Sequence, residues 1–194
     1  MTLLGKIMTN RRAGETQLAW NRPNLSGPEL LTLTSQDFVE GAPIPLEHAG
    51  RRVGGKDLSP CLTWNQPPGD IAQLLLVIED IDVPMTRPFV HGVSLIDPTL
   101  LDSPGHLPGG ALSAREPAAG VRMLRSGVGR GYRGPGPIKG HGPHRYTFQL
   151  FALADAVDST SDMTEVDRAR PRAFLASLAV PVVARGRLTG TFER

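Results

Sequence analysis

The sequence predicts a mainly β protein, an antiparallel β-sandwich with one or two short helices near its C-terminus. Short apolar runs recur along the chain, and turn residues separate them about every ten to fifteen residues. The only good helical pattern lies late, at 164–179. With 22 Gly and 18 Pro among 194 residues, the composition also favours turns and short strands over long helices. Strands that precede a single late helix do not form a repeated βαβ pattern.

Each predicted strand is an apolar or alternating run that is bounded by turn residues. The run at 73–79 is apolar at successive positions, which is typical of a strand with both faces buried. The run at 145–154 begins with Tyr146, Phe148 and Leu150 alternating with polar residues, which indicates a half-buried strand. The predicted strands are 30–34, 62–64, 73–79, 89–96, 145–154 and 187–192.

The late helical pattern and the N-terminal segment complete the predicted organisation. Pro171 lies inside the pattern at 164–179, so it either kinks one helix or begins a second, and Pro181 ends the pattern. Residues 1–29 show no sustained period and are expected to be an N-terminal arm that is flexible or lies at an interface. Residues 30–194 are expected to form a single domain.

Composition and charge argue against several classes of function. The net charge is +2, and the Lys and Arg residues are scattered, so nucleic-acid binding is not expected. The single cysteine, Cys61, excludes an intrachain disulfide and a multi-cysteine metal site. No segment has the length of a membrane span or the apolar core of a signal peptide, so a cytoplasmic protein is expected.

Polar residues with chemical potential lie at the ends of three predicted strands. Asp80 and Asp82 follow a buried strand and point to one side, His91 lies in an apolar strand, and a Gly- and Pro-rich loop leads into His144 and Tyr146. Carboxylates, imidazoles and exposed loop N–H groups can build a small anion site or an acid–base pair. Structural explanations are also open: Asp82 can cap a turn, His91 can be a core histidine, and the loop can be a simple turn.

Motifs along the chain occur in one order at compatible distances, and together they resemble the phosphatidylethanolamine-binding protein family. The resemblance covers residues 31–194 and is strongest to the bacterial branch of Raf-kinase-inhibitor-like proteins. The motifs are Leu33-Thr34-Ser35-Gln36-Asp37-Phe38, Ser59-Pro60-Cys61-Leu62-Thr63-Trp64, Asp80-Ile81-Asp82-Val83-Pro84, His91, Gly134-Pro135-Gly136-Pro137 with His144-Arg145-Tyr146, and Leu188-Thr189-Gly190-Thr191-Phe192.

The resemblance implies a β-sandwich with a small, pre-formed anion pocket at one end. Such pockets accommodate phosphate, acetate or phosphoethanolamine-like head groups, and no cofactor or metal is implied. Protein partners such as a kinase or a protease, and a homodimer, are implied as well. The residues that would line the pocket are Asp80, His91, Gly136, His144 and Tyr146.

The chain departs from the family pattern around this pocket. Ile81 stands where the family has a rigid proline, Gly92 stands where it has an aromatic residue, and Gly136 stands where it has a cysteine. Phe89 is expected to stand in for a missing aromatic side chain at the pocket rim. The polar pocket residues are present and the apolar rim is altered, so the departures affect the identity of the ligand.

The leading prediction is a non-enzymatic binding protein for phosphate or phosphoryl head groups that modulates a partner protein. We expect its affinity for phosphate monoesters to weaken as the pH rises through the titration of a pocket histidine. A competing hypothesis is a hydrolase that uses Asp80, His91 and His144 as acid–base groups, although no Gly-x-Ser-x-Gly motif and no nucleophile can be named. The sequence is also compatible with an interaction protein whose pocket is vestigial. A further alternative is a metal site built from Asp80, His91 and His144.

Overall fold

Two antiparallel β-sheets form the core of the protein in a computed structural model that describes residues 8, 10–66, 69–157 and 163–194. The small sheet has the order β1-β2-β5 and the large sheet has the order β6-β4-β3-β7-β8. This arrangement confirms the predicted fold class. The strands are β1 (Leu33–Thr34), β2 (Leu62–Trp64), β3 (Gln73–Asp80), β4 (Phe89–Ile96), β5 (His106–Leu107), β6 (Val121–Met123), β7 (His144–Leu153) and β8 (Val182–Phe192).

The central strand β3 is buried on both faces, as its apolar sequence predicts. Leu76 and Ile78 belong to one core cluster, which the small sheet closes with residues such as Leu62. Leu75 and Val77 belong to a second cluster on the opposite face of the large sheet. Successive residues of a strand point to opposite faces, so β3 supplies both clusters.

The second core cluster is covered by the N-terminal segment and the late helices. Residues 19–21 and 23–25 form short 3₁₀ helices, and both Leu18, just before the first helix, and Leu25, in the second, are fully buried. The Arg185 guanidinium lies 4.0 Å from the centre of the Trp20 ring, within the range of a cation–π contact. This packing brings the chain before residue 19 to the end of the large sheet where β3 finishes.

The late helical pattern divides into α1 (Met163–Arg168) and α2 (Pro171–Ser177). Pro171 occupies the first turn of α2, where its missing N–H costs no hydrogen bond. Pro171 therefore begins a second helix and does not kink a single one. Phe174 and Leu175 of α2 are buried in the second core cluster.

Strand β8 begins at Val182, earlier than the predicted residue 187, because its pairing with β7 continues to Leu153. A Cβ atom on Gly186 would lie 2.2 Å from the Leu31 carbonyl oxygen, so only glycine allows this close approach. The first strand is shorter than predicted, and β5 and β6 were not predicted, because strands of two or three residues carry little pattern.

Candidate functional site

The ends of three neighbouring strands bring the candidate residues together. Asp80 is the last residue of β3 and pairs with Tyr146 of β7 on one side and with Phe89 of β4 on the other. The register between β3 and β4 shifts so that Ile78 faces Gly92 and Glu79 faces Val90, which leaves His91 as the extra residue of a β-bulge. A bulge redirects a side chain at the end of a sheet.

Asp80 and His144 form a buried pair at this end of the sheet. The Asp80 carboxylate oxygen Oδ2 lies 2.7 Å from Nδ1 of His144, and its Oδ1 accepts the Asp82 backbone N–H at 2.8 Å. The other ring nitrogen of His144, Nε2, lies 2.7 Å from Nδ1 of His141. Both nitrogens of His144 are therefore occupied, and both oxygens of Asp80 have a partner.

The Tyr146 hydroxyl is a buried polar atom of this cluster without a hydrogen-bond partner. The side chain is 1% exposed, and its oxygen has no well-formed hydrogen bond to any residue in the described part of the chain. The Gly136 N–H and the Asp80 carboxylate lie close enough to affect its pKa, but neither has good hydrogen-bond geometry. Burial is the main cause of the raised pKa of Tyr146, so the hydroxyl remains protonated and can donate.

His91 faces the same cluster from β4. Its Nδ1 donates to the Arg133 carbonyl oxygen at 2.7 Å, and its ring meets the rings of Phe89 and Tyr146 edge-on at 5.0 and 5.1 Å. Burial lowers the pKa of His91 and outweighs the opposing effect of Asp80. With Nδ1 fixed as a donor, Nε2 of the neutral ring is an acceptor, and it becomes a donor only when the ring binds a second proton.

A second carboxylate fixes the chain next to the site. Asp82 accepts hydrogen bonds from the Arg145 backbone and guanidinium at 2.8 to 2.9 Å through both of its oxygens, and Nη1 of Arg12 lies 3.0 Å from Oδ1. Burial alone would raise the pKa of Asp82, but the two arginines hold it below its ordinary value. Asp82 therefore remains a carboxylate whose role is to hold Arg145 and the N-terminal segment.

The Gly- and Pro-rich loop is anchored to an earlier part of the chain. The Gly134 N–H donates to Asp57 at 2.9 Å, and the Tyr132 hydroxyl donates to the His48 carbonyl at 3.0 Å. A Cβ on Gly134 would lie 2.3 Å from that same carbonyl oxygen, so glycine is required there. Gly136 has open space instead, since the nearest atom to its Cβ position is in Val53, at 3.9 Å.

The structure thus brings Asp80, His91, His144 and Tyr146 to one place, with Gly136 beside them. Sequence reasoning gave no role to His141, which extends the Asp80–His144 pair. The available signal was a second histidine three residues before His144, on a turn that the His141 N–H closes by donating to the Ile138 carbonyl.

Two surface depressions lie away from the candidate cluster. Across residues 8, 10–66, 69–157 and 163–194, no group of three or more His, Cys, Asp or Glu side chains could hold a metal ion. Two surface depressions of about 230 and 630 Å³ are lined by other residues, around His106 and between α1 and α2. The cluster at Asp80 lies apart from both depressions.

Comparison with known proteins agrees with this fold. A UPF0098 protein of Mycobacterium bovis is 31% identical over 178 residues, which cover 91% of this chain and 77% of that protein. Phomoidride biosynthesis cluster protein B of a fungal species is 31% identical over 180 residues, 86% of this chain and 84% of that protein. A Mycobacterium tuberculosis relative named as a candidate lipoprotein, LppC, is 35% identical over 167 residues, 85% of this chain and 73% of that protein.

Solved structures show the same architecture. Escherichia coli YbcL, described as a new member of the mammalian PEBP family, superposes with a TM-score of 0.71 at 24% identity, over 85% of this chain and 99% of that one. No helix among the described residues is long and apolar enough to cross a membrane, and cytoplasmic location stays a prediction. A family model for phosphatidylethanolamine-binding proteins matches residues 34–193. The chain belongs to the phosphatidylethanolamine-binding protein family.

Proposed function

We propose that the protein binds a small phosphoryl-type anion, without turning it over, at the end of β3, β4 and β7. The observation that carries this proposal is the buried Tyr146 hydroxyl, a donor without a partner beside the Gly136 N–H. Leaving a buried polar group unpaired costs about 1–3 kcal/mol, and an anion oxygen that accepts both donors would recover that energy.

The charges around the site are compatible with an anion. The Asp80 carboxylate would repel one, but its two oxygens already accept hydrogen bonds from His144 and from the Asp82 N–H. His91 adds a donor when it is protonated, because its Nε2 then carries hydrogen. Binding should therefore be modest at neutral pH and stronger in acid.

Hydrolysis is less well supported than binding. His144 would be the natural base, but Asp80 and His141 occupy both of its ring nitrogens. Cys61, the one cysteine of the chain, contacts His106, which lines a different part of the surface. A partner protein and a homodimer stay predictions from the family resemblance.

Calorimetric titration with sulfate, inorganic phosphate and phosphoethanolamine tests the proposal. Tyr146→Phe removes the unpaired hydroxyl and should weaken binding of all three anions about tenfold, which corresponds to 1.4 kcal/mol, while raising the stability of the anion-free protein by about 1 kcal/mol. Tyr132→Phe is the matched control because it removes a buried tyrosine hydroxyl that already has a partner, the His48 carbonyl. This control should lose about 1 kcal/mol of stability and bind anions as the parent does.

The two variants give opposite patterns, so the experiment can contradict the proposal directly. Equal affinity in Tyr146→Phe and the parent protein would remove Tyr146 from the site. An absence of binding for all three anions would overturn the proposed function. Release of phosphate from p-nitrophenyl phosphate that disappears in His144→Ala would favour the hydrolase instead.

A further inference from the structure

His141 connects the candidate site to the N-terminal segment. One of its ring nitrogens, Nδ1, faces Nε2 of His144 at 2.7 Å. The other, Nε2, faces the backbone carbonyl oxygens of Met8 and Arg11 at 2.8 and 3.2 Å. The ring is fully buried, so these contacts account for its polar atoms. A continuous chain of hydrogen bonds thus runs from Asp80 through His144 and His141 to the N-terminal backbone.

The groups in this series of hydrogen bonds determine how many protons the series holds. A carbonyl oxygen only accepts, so Nε2 of His141 carries hydrogen. The contact between His144 and Asp80 needs a second proton, and the contact between the two imidazoles needs a third. A carboxylate and two neutral imidazoles supply only two protons in total. Making all three contacts hydrogen bonds therefore requires one proton more than these groups supply, and the Asp80 carboxylate would balance its charge.

Further hydrogen bonds and an ion pair hold the N-terminal segment beside His141 and His144. Arg12 donates to the Pro143 carbonyl at 3.0 Å and pairs with Asp82. The Ala13 and Gly14 N–H groups donate to the carbonyls of Val83 and Ile81 at 3.0 and 2.8 Å. Residues 11–14 therefore lie along the turn that follows β3, and His141 lies between this segment and the site.

Other charged and titratable groups face the imidazole pair from each neighbouring element. Asp80 follows from β3, His91 from β4 and Tyr146 from β7. Arg12 comes from the N-terminal segment, where its guanidinium lies near Gly142. Asp82 pairs with both Arg145 and Arg12 on the same side.

We propose that His141 is a positioning residue that shares a proton with His144 and couples docking of residues 11–14 to anion binding at the site. The coupling rests on the proposed function, whereas the shared proton does not. An anion beside His144 favours the positive charge on the imidazole pair. That charge strengthens the bonds from His141 to the N-terminal carbonyls, and the reverse effect has the same size by linkage.

Nuclear magnetic resonance of the anion-free protein tests the shared proton first. With ¹⁵N-labelled histidine, we expect one downfield proton coupled to both Nδ1 of His141 and Nε2 of His144. The signal should vanish in His141→Gln. Two independent neutral rings, with ¹⁵N shifts of unprotonated nitrogens at both facing positions, would overturn the proposal whether or not the protein binds anions.

Two variants then separate the two contacts of His141. The amide of Asn reaches about as far as Nδ1 of histidine and that of Gln about as far as Nε2. His141→Asn should retain the contact to His144, and the Ala13 and Gly14 amides should exchange at least tenfold faster with solvent. His141→Gln should retain slow exchange at both amides, and sulfate affinity should fall at least fivefold.

The coupling itself is read from exchange with and without sulfate. Sulfate should slow exchange of the Ala13 and Gly14 amides at least threefold in the parent protein and leave both variants unchanged, with the Val77 amide of β3 as reference. If sulfate still slowed exchange of these amides in both variants, the coupling would be overturned. An absence of sulfate binding by the parent would overturn the proposed function and the coupling together, leaving the shared proton to the first experiment.

Discussion

Glu79 and Asp80 are neighbours on β3, both carboxylates are buried, and they point to opposite faces of the sheet. Glu79 accepts the Ala19 N–H at 2.7 Å, the Gln149 amide at 3.0 Å and the Arg172 guanidinium at 2.9 Å. Asp80 holds His144 at the end of the sheet, where the Tyr146 hydroxyl has no partner. The hydrogen bonds of the Glu79 cluster are all made within the protein, whereas the Asp80 cluster contains a hydroxyl donor that a ligand could use.

The comparison shows that a buried charged network does not by itself identify a binding site. The Glu79 network connects the N-terminal segment, β7 and α2, so its bonds hold elements together. Arg172 of this network also donates to the Pro88 carbonyl. What distinguishes the Asp80 cluster is its position at the strand ends and its unpaired donor. The two carboxylates should therefore respond differently to mutation.

The largest effect is expected for Glu79→Ala, which leaves the partly buried Arg172 charge and the Ala19 N–H without their partner. Removing one member of such a pair costs about 3–5 kcal/mol of unfolding free energy, measurable by urea denaturation. Sulfate affinity of the folded fraction should stay within about twofold of the parent value, because the Asp80 cluster is untouched. Loss of sulfate binding without loss of stability would contradict the distinction between the two clusters.

A milder substitution of Glu79 tests its electrostatics. Burial raises the pKa of Glu79 despite its hydrogen bonds and Arg172. A raised pKa in the folded state gives stability that is fully present below the unfolded value of about 4.3 and is lost as the pH rises through the folded value. Glu79→Gln should remove this decline from the dependence of unfolding free energy on pH. An unchanged dependence would show that Arg172 compensates the charge fully.

His144→Ala should have the opposite pattern, with the larger effect on binding. It exposes the Asp80 carboxylate to the anion without a compensating partner, so sulfate affinity should fall at least tenfold, or about 1.4 kcal/mol. The loss of stability should be about 1–3 kcal/mol, since one buried hydrogen-bonding group is left unpaired. Calorimetry and urea denaturation on the same preparation give both values, and unchanged affinity would contradict the proposed site.

The pH dependence of sulfate binding comes next in size. Burial lowers the pKa of His91, so the neutral ring is stabilised by folding. Its contribution to stability is present above the unfolded value of about 6.5 and is lost as the pH falls through the folded value. Sulfate keeps its charge in this range, so its affinity should rise as His91 gains a proton below pH ~6.5. His91→Gln should reduce this rise in sulfate affinity. A constant sulfate affinity of the parent protein between pH ~5 and 8 would contradict the role of His91.

The smallest effect is expected for Gly136→Ala. Its backbone is not left-handed and the new methyl group would meet only Val53 at 3.9 Å, so stability should change by less than about 0.5 kcal/mol. Sulfate affinity should fall about two- to fivefold, because the methyl group crowds the anion beside the Gly136 N–H. Gly134→Ala is the control within the loop, since its Cβ would clash with the His48 carbonyl and destabilise by about 1–3 kcal/mol.

Apolar runs bounded by turns were enough to predict the sandwich, whereas the set of residues that meets at its end was implied by the family resemblance. β4 was predicted with its observed bounds, yet the bulge that leaves His91 unpaired has no signature in the sequence. The contact between His141 and His144 depends on how a loop turns back, and the contacts of Arg12 depend on a segment without periodicity. Such features follow from tertiary packing.

The anchoring of the loop has a consequence for how the protein folds. Asp80 and His144 are 64 residues apart in the chain, Asp57 and Gly134 are 77 apart, and Met8 and His141 are 133 apart. Closing such long stretches of chain costs entropy before the contacts repay it, so these pairings belong to the slow, late part of folding. Anion affinity should therefore appear only in the last kinetic phase of refolding.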